Sequence, residues 1–578
     1  MKLLPLSYRL RLRLSEAFRP SETHAMLLWA ALVGLVGALA TIGFRAAIHA
    51  LEWVATRHSG GLVEIAILLP WYLRLTFPVV GGVVAGLLLQ LSKRWGAGTS
   101  SDYMEAIAIG DGRISVRQAL ARSASSLCSV VSGGSIGREG SMVHLAAMCA
   151  SLGGRLARFS PSRLRLLVAC GAAAGITSAY SAPIGGALFV SEIVLGSIAM
   201  ESFGPLVVSS VVANITMREF TSYAPPYQMP KFPGVAGVEV IAFLGLGLLA
   251  GIAAPQFLRV LDAAKSGFGR LRLPLAARLG LGGVIVGLIS VRVPEVWGNG
   301  YSVVNSLLHR EWLWSLVLLV LACKIVATAA TTGSGAIGGV FTPTLFVGAS
   351  LGSVYGQGLQ ALWPGATSMP FAYAIVGMGA FLAGATHAPL MAILMIFEMT
   401  LSYQVVLPLM LACVAAYFVA RASREKSMYS VTIHRNQEES ELRRWRGLSI
   451  SELIKPAQPT VVASAEFAEL ERAFLEHPVR YVYVVDEAGR FCGVVSLHEI
   501  KAKLVSHPGA ASSGPRAGEL VRTDFVRLTA GAQFGDALQA FLTQRTERLP
   551  VVESEEHPLL LGVLSKTDLL LEIQRFAR

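Results

Sequence analysis

Arg138 and Glu139 stand side by side, preceded by Ser132-Gly133-Gly134-Ser135-Ile136-Gly137 and followed by Gly140-Ser141, in a part of the chain that is otherwise apolar. A charge at the centre of a bilayer costs on the order of 3 kcal/mol even on lenient insertion scales, so ionisable groups placed there mark ion or proton pathways. Glycine lets backbone amides approach an ion closely. A helix that starts after such a turn offers free N–H groups and the positive end of its dipole. The residue types and their spacing therefore point to an anion site. A salt bridge between Arg138 and Glu139 is the plainer reading, but adjacent residues of a helix do not face each other.

The elements that must carry this motif are membrane helices. The chain has 578 residues, 53% of them hydrophobic and 15% charged, too apolar for a soluble protein of that length. Apolar stretches run from Met26 to about Ala422, among them 26–56, 67–92, 235–262, 274–291 and 312–331. Others, near the glycine motifs, fall short of the roughly 20 residues a full crossing needs and predict broken helices that end within the bilayer. The net charge of +12 does not call for nucleic acid. Arg9, Arg11, Arg13 and Arg19 precede the first span, and Arg421, Arg424 and Lys426 follow the last, which predicts cytoplasmic ends by the positive-inside rule. Met26 to Gly43 reads as a retained span, not a cleaved signal. The six cysteines show no CxxC spacing and predict buried thiols, with no metal cofactor.

A repeat links two halves of the apolar region. Gly171 to Ala182-Pro183 is echoed by Gly377 to Ala388-Pro389, and a glutamate follows each proline by nine residues, Glu192 and Glu398. Ser132 to Ser141 has a looser counterpart in Ser334 to Pro343. Two related halves of roughly 200 residues suggest a transporter-type duplication with the substrate at the repeat interface.

Composition changes after Arg435. The boundaries expected are a basic N-terminal segment at 1–25, a membrane domain at 26–435, a charged linker at 436–446, and two soluble α/β modules at 447–506 and 518–578. Tyr481 to Val485 and Gly493 to Ser496 read as strands between the helical patterns 465–476 and 497–504. Leu549 to Val552, Gly562 to Ser565 and a helix from Lys566 repeat them after the Pro/Gly/Ser-rich stretch 507–518.

Gly137-Arg138-Glu139-Gly140, Gly339-Val340-Phe341-Thr342-Pro343, the paired Ala-Pro motifs and Met428-Tyr429-Ser430 occur in an order and spacing that resemble the CLC family of chloride channels and proton/chloride exchangers, within its bacterial ClcB-type branch. The tail resembles a tandem pair of CBS domains. The resemblance implies an all-α polytopic membrane domain with two related halves and broken helices, followed by the α/β CBS pair. It implies chloride as the transported ion, a homodimer with one pore per subunit, and a bacterial inner membrane with both termini cytoplasmic. By the same resemblance, Glu139 is the gate: a tethered carboxylate that competes with chloride for backbone amides and leaves when protonated. Arg138, Gly140, Val340 and Phe341 are carried over as chloride-binding positions, and Tyr429 as the hydroxyl that closes the site from the cytoplasmic side. Amides and hydroxyls donate hydrogen bonds without holding the ion by a full opposite charge. Arg122 and Lys324 resemble basic positions that make the pore electropositive. In the tail, Ser565 and Asp568 stand where such domains hold the ribose of an adenine nucleotide.

This chain departs from the family pattern in three places. The filter loop reads Gly98-Thr99-Ser100-Ser101-Asp102, so that by the resemblance one of Thr99, Ser100 or Ser101 supplies the hydroxyl, alignment on Glu105 favouring Thr99, and Asp102 reads as a helix cap. Where exchangers carry two successive glutamates, this chain has Glu192-Ile193. Isoleucine carries no proton, which favours passive conduction; Glu192 is the candidate substitute relay, against a structural role shared with Glu398. Glu499 stands where the first CBS copy usually has aspartate. No enzyme is expected: His498-Glu499-Ile500-Lys501-Ala502 lacks the final histidine of HExxH. Cation pores that carry CBS domains would concentrate acidic side chains or carbonyls, unlike the glycine amides beside Arg138.

Overall fold

The computed structural model describes residues 22–576, apart from 59, 94–101, 222–226, 228–229, 231–236, 238, 365–366, 425, 430–448, 507–513 and 545. The chain divides into two compact units, Met1–His434 and Arg435–Arg578.

The first unit is all-helical. Among the described residues, six helical stretches are long and apolar enough to cross a membrane: Ala25–Thr56, Trp71–Ser92, Glu239–Arg270, Leu275–Arg292, Trp314–Ser334 and Tyr403–Ser423. The helices run α1 (Glu22–Thr56), α2 (Leu62–Leu68), α3 (Trp71–Lys93), α4 (Tyr103–Ala108), α5 (Val116–Val131), α6 (Glu139–Leu156), α7 (Pro161–Tyr180), α8 (Pro183–Leu188, continued by a π-helical turn, Phe189–Val194) and α9 (Met200–Phe220). The second half has α10 (Glu239–Arg270), α11 (Leu275–Arg292), α12 (Tyr301–His309), α13 (Trp314–Ser334), α14 (Phe341–Leu362), α15 (Pro370–Thr386), α16 (Pro389–Thr400) and α17 (Val406–Ser423). The unit's core is built largely from alanine, valine, leucine and isoleucine of α7, α14, α15 and α16, whereas Leu28, Leu68, Leu249, Leu319 and Leu407 stand exposed, as a lipid-facing surface requires.

The repeat seen in the sequence is a repeat of backbone. α7 ends on Ser181 and α15 on His387, both left-handed (φ 57° and 58°), and Ala182 and Ala388 then turn the chain into proline-started helices α8 and α16. Each following helix is capped by the glutamate of the other half. Glu398 accepts hydrogen bonds from the amides of Ile184 (3.0 Å) and Gly185 (2.7 Å), and Glu192 accepts from the amide of Met391 (2.8 Å). Carboxylates at helix N-termini satisfy amides that have no intrahelical partner.

The second unit is α/β. β1 (Thr460–Val462) pairs in parallel with β2 (Tyr481–Val485), which pairs antiparallel with β3 (Phe491–Ser496); α18 (Phe467–Glu476) and α19 (Leu497–Ser506) accompany them. The second copy repeats this order with β4 (Leu528–Thr529), α20 (Phe534–Gln544), β5 (Arg548–Val552), β6 (Leu560–Ser565) and α21 (Lys566–Phe576). Even the register slip recurs, at Val484/Val485 and at Val551/Val552. The alternating apolar runs announce the central strands, but β1 and β4, three and two residues long, are too short to show a period and were found only by pairing. The turn after β2 is tied by Asp486, which accepts hydrogen bonds from the backbone of Arg490 and Ala488 and from the Arg490 guanidinium; these contacts hold its carboxyl below the usual carboxylate range.

Candidate functional site

Two broken helices meet head to head. In the first half, α5 ends at Val131, residues 132–138 form a loop, and α6 starts at Glu139; in the second, α13 ends at Ser334, 335–340 form a loop, and α14 starts at Phe341. The loops join through a reciprocal bridge between equivalent residues: the Gly137 amide donates to the Gly339 carbonyl (2.8 Å) and the Gly339 amide to the Gly137 carbonyl (2.9 Å). Ser135 fastens the first loop to α13 through the hydroxyls of Thr331 (3.2 Å) and Thr328 (3.0 Å). Two helix N-termini, each with unpaired amides and a positive dipole end, are thereby brought to one place.

Glu139, 3% exposed, lies at this junction. Its Oε1 accepts a hydrogen bond from Asn299 Nδ2 at 3.0 Å, while Oε2 has no hydrogen-bond partner among the described residues. A Cβ added at Gly137 would meet that Oε2 and would stand 2.8 Å from the Gly339 carbonyl oxygen, which is why glycine is needed there.

Below the junction lies a cavity of about 400 Å³, lined among others by Glu139, Gly140, Gly339, Val340, Phe341 and Tyr429. The aromatic rings are mutually packed: Tyr180 on Phe341 (centroids 4.8 Å apart) and Phe189 on Phe341 (6.2 Å) and on Tyr429 (5.5 Å). The Tyr180 hydroxyl lies 3.1 Å from the Thr342 hydroxyl. Met428, beside Tyr429, donates its amide to the Ala385 carbonyl (2.8 Å), so the segment after α17 is seated against α15. Arg122 and Lys265 bring positive charge to the same cavity wall, which Asp102 and Ser141 also line; the buried Ser141 hydroxyl has no hydrogen-bond partner among the described residues. Such a chamber, with an anionic side chain at one end and amides, hydroxyls and cations around it, is suited to a small anion.

The family description "Voltage gated chloride channel" matches residues 80–421, and "CBS domain" matches 450–506 and 517–575. A chloride channel protein described as ClcB-like from Ralstonia nicotianae is 59% identical over 423 residues, covering 72% of this chain and 98% of that protein. The chain belongs to the CLC family. Chloride transport across a membrane is the function that membership carries. The voltage-gated ClC-type chloride channel ClcB of Citrobacter koseri is 43% identical, covering 70% of this CLC chain and 97% of its own. Among solved structures, a slow cyanobacterial Cl⁻/H⁺ antiporter has a TM-score of 0.63 at 27% identity, covering 71% of this chain and 97% of its own. A eukaryotic CLC transporter shares the fold with a TM-score of 0.58 at 19% identity over 95% of this chain and 99% of its own.

Of the residues singled out in the sequence, Glu139, Gly140, Val340, Phe341 and Tyr429 come together around the cavity. Thr99 and Ser100 lie outside the described residues. Asp102 caps α4, accepting from the Met104 amide at 3.1 Å. Two of the basic residues singled out stand apart from the cavity. Arg138 is not among the residues lining the cavity; the residue just before α6, it lies near Arg45 and Glu52 of α1. Nor does Lys324, fully buried on α13, line it: its ammonium donates to the carbonyls of Val296 (2.9 Å) and Gly298 (2.7 Å). A buried cation takes the nearest acceptors available, and here those are backbone carbonyls of a turn. Glu192 is also outside the cavity lining, engaged in its cap on α16. Sequence reasoning missed Asn299, Tyr180 and Lys265; a polar residue between Gly298 and Gly300 in an apolar region was the available signal for the first.

In the tail, the two equivalent positions differ. Glu499 turns back onto its own strand end, accepting from the amide and hydroxyl of Ser496 (both 2.9 Å), whereas Asp568 pairs with Lys455 Nζ at 2.8 Å.

Proposed function

We propose that this CLC chain is a voltage- or pH-gated chloride channel of the bacterial inner membrane, in which Glu139 is the gate. The observation that carries the reading is the position of that carboxylate: buried between two facing helix N-termini, on the wall of a cavity shared with Gly140, Val340, Phe341 and Tyr429, with one oxygen unpartnered among the described residues. As an anion fixed to the chain it competes with chloride for the amides of Val340, Phe341 and Gly140; protonation removes its charge, so acid opens the path. Tyr429 closes the cavity from the cytoplasmic side. Ile193, in place of a second glutamate, and the capping duty of Glu192 support uncoupled conduction. Relatives described as ClcB chloride channels support it too. The second reading, proton/chloride antiport by another internal route, is supported by the likeness to the cyanobacterial antiporter.

In this reading the subunits pair as homodimers with one pore each, both termini are cytoplasmic, and chloride flux serves as an electrical shunt under acid stress. The CBS pair adds regulation, with Ser565 and Asp568 receiving the ribose of an adenine nucleotide. The deciding experiment is chloride efflux from proteoliposomes in a chloride gradient, with valinomycin present and internal pH followed. Efflux without uphill proton movement is expected; a fixed ratio of protons moved uphill would establish antiport. Glu139→Gln should give efflux that stays high and loses its pH dependence, and pH-gated efflux identical to wild type would remove Glu139 from the gate.

A further inference from the structure

We propose that Asn299 is the latch of the gate, a positioning residue that holds the Glu139 carboxylate in its closed position. The inference rests on the reading of Glu139 as the gate. Among the described residues Asn299 is the single hydrogen-bond donor to that carboxylate, Nδ2 to Oε1 at 3.0 Å, in a place where Oε2 finds none. A hydrogen bond to the charged form of an acid favours that form. The latch therefore stabilises the ionised, closed gate specifically and is lost when the side chain protonates and leaves.

The amide is held from several sides. Its Oδ1 accepts from the Tyr301 amide (3.4 Å), which turns Nδ2 toward Glu139. Gly298 and Gly300, at φ +64° and +94°, are left-handed, and a turn with that backbone on both sides of one residue calls for glycine. Lys324 staples the turn to α13 through the carbonyls of Val296 and Gly298. The buried ring of Trp297 lies so close over Gly133 that no side chain fits there, which ties the turn to the loop preceding Glu139. Donor and acceptor are thus presented by two backbone segments braced against each other, and the buried lysine braces the turn that carries the latch.

Other charged or titratable groups facing Glu139 are Arg45 on α1, the neighbouring Arg138, and Tyr180, Tyr227, Tyr301 and Tyr429. Arginine stays charged and phenols stay neutral from acid to neutral pH. Glu52 of α1 lies near Arg138 and 3.2 Å from His49.

The test is chloride efflux against pH from proteoliposomes of the full chain, for wild type, Asn299→Ala, Asn299→Asp, Glu139→Gln and the double variant Glu139→Gln/Asn299→Ala. Asn299→Ala should move the pH of half-maximal efflux upward by about one to two units, the weight of one hydrogen bond to a charged group. Asn299→Asp keeps the size of the side chain but sets a second carboxylate against Glu139, and should move it further in the same direction. In the Glu139→Gln background, Asn299→Ala should change nothing further. A purely structural residue would instead lower efflux in every background without moving the midpoint. If Glu139→Gln abolishes pH gating while both Asn299 variants keep the wild-type midpoint, the latch is wrong and the gate stands. If Glu139→Gln itself retains wild-type gating, the gate reading fails and takes the latch with it. Should Asn299→Ala fail to assemble, the isosteric Asn299→Asp decides alone.

Discussion

The two halves of the membrane unit present nearly the same backbone and opposite chemistry where they meet. Each sends a helix N-terminus to the junction and each gives a glycine to the reciprocal bridge, but the residue two places after that glycine is Glu139 in one half and Phe341 in the other. The first brings an anion that can be neutralised by a proton; the second brings an aromatic ring packed among Tyr180, Phe189 and, through it, Tyr429. A duplicated scaffold thus makes the site by symmetry, while control of the site is asymmetric. The Ala-Pro corners teach the converse. There both halves keep a glutamate, and the two carboxylates perform the same capping service for one another's helices.

The sharpest way to break this comparison is to add one methyl group to each bridge glycine. Gly137→Ala would collide with Glu139 Oε2 and the Gly339 carbonyl, and should displace the carboxylate and raise chloride efflux at neutral pH by about tenfold, a cost equivalent to one overpacked contact. Gly339→Ala meets nothing nearer than the Gly140 amide at 3.4 Å and should leave the pH profile near wild type. Equal effects on efflux would mean that the junction is symmetric in function as well as in backbone.

A smaller effect is expected at the corners. Glu398→Ala strips the acceptor from two amides and should lower stability by about 1–3 kcal/mol, read as thermal unfolding of the detergent-solubilised protein. Glu192→Ala should cost a similar or slightly smaller amount and leave efflux, like that of the wild type, without uphill proton movement. Uphill proton movement in the wild type that Glu192→Ala alone abolishes would end the equivalence and make it a relay.

The weakest expected difference lies between the CBS copies. Titration of the full chain with an adenine nucleotide should show Asp568→Ala losing about tenfold in affinity, as for one charge-assisted hydrogen bond, and Glu499→Ala changing little because that carboxylate already serves Ser496. No binding by the wild-type chain would assign the tail a purely structural role.

Much of this was legible beforehand because local signals carry it. The long spans show as uninterrupted apolar runs, the broken helices as glycine-rich interruptions, and the repeat as paired Ala-Pro corners with a glutamate nine residues on. Roles that depend on which distant segment lies alongside were not legible. Which acceptors Lys324 meets, the carbonyls of residues 296 and 298, is one such role. That Arg138 lies near Arg45 and Glu52 of α1 could not be read from its place in the motif.

By itself the sequence determined membrane insertion, the duplication, the glycines that let backbone amides approach an ion, and the lone carboxylate among them, since hydrophobicity, period and backbone freedom are properties of short stretches of chain. Only the tertiary structure decided that Gly137 would bridge Gly339, that each corner glutamate would cap the opposite half, and that Asn299 would reach Glu139. Those contacts join residues some 160 to 214 positions apart, and a hydrogen bond depends on distance in space, which spacing along the chain does not specify.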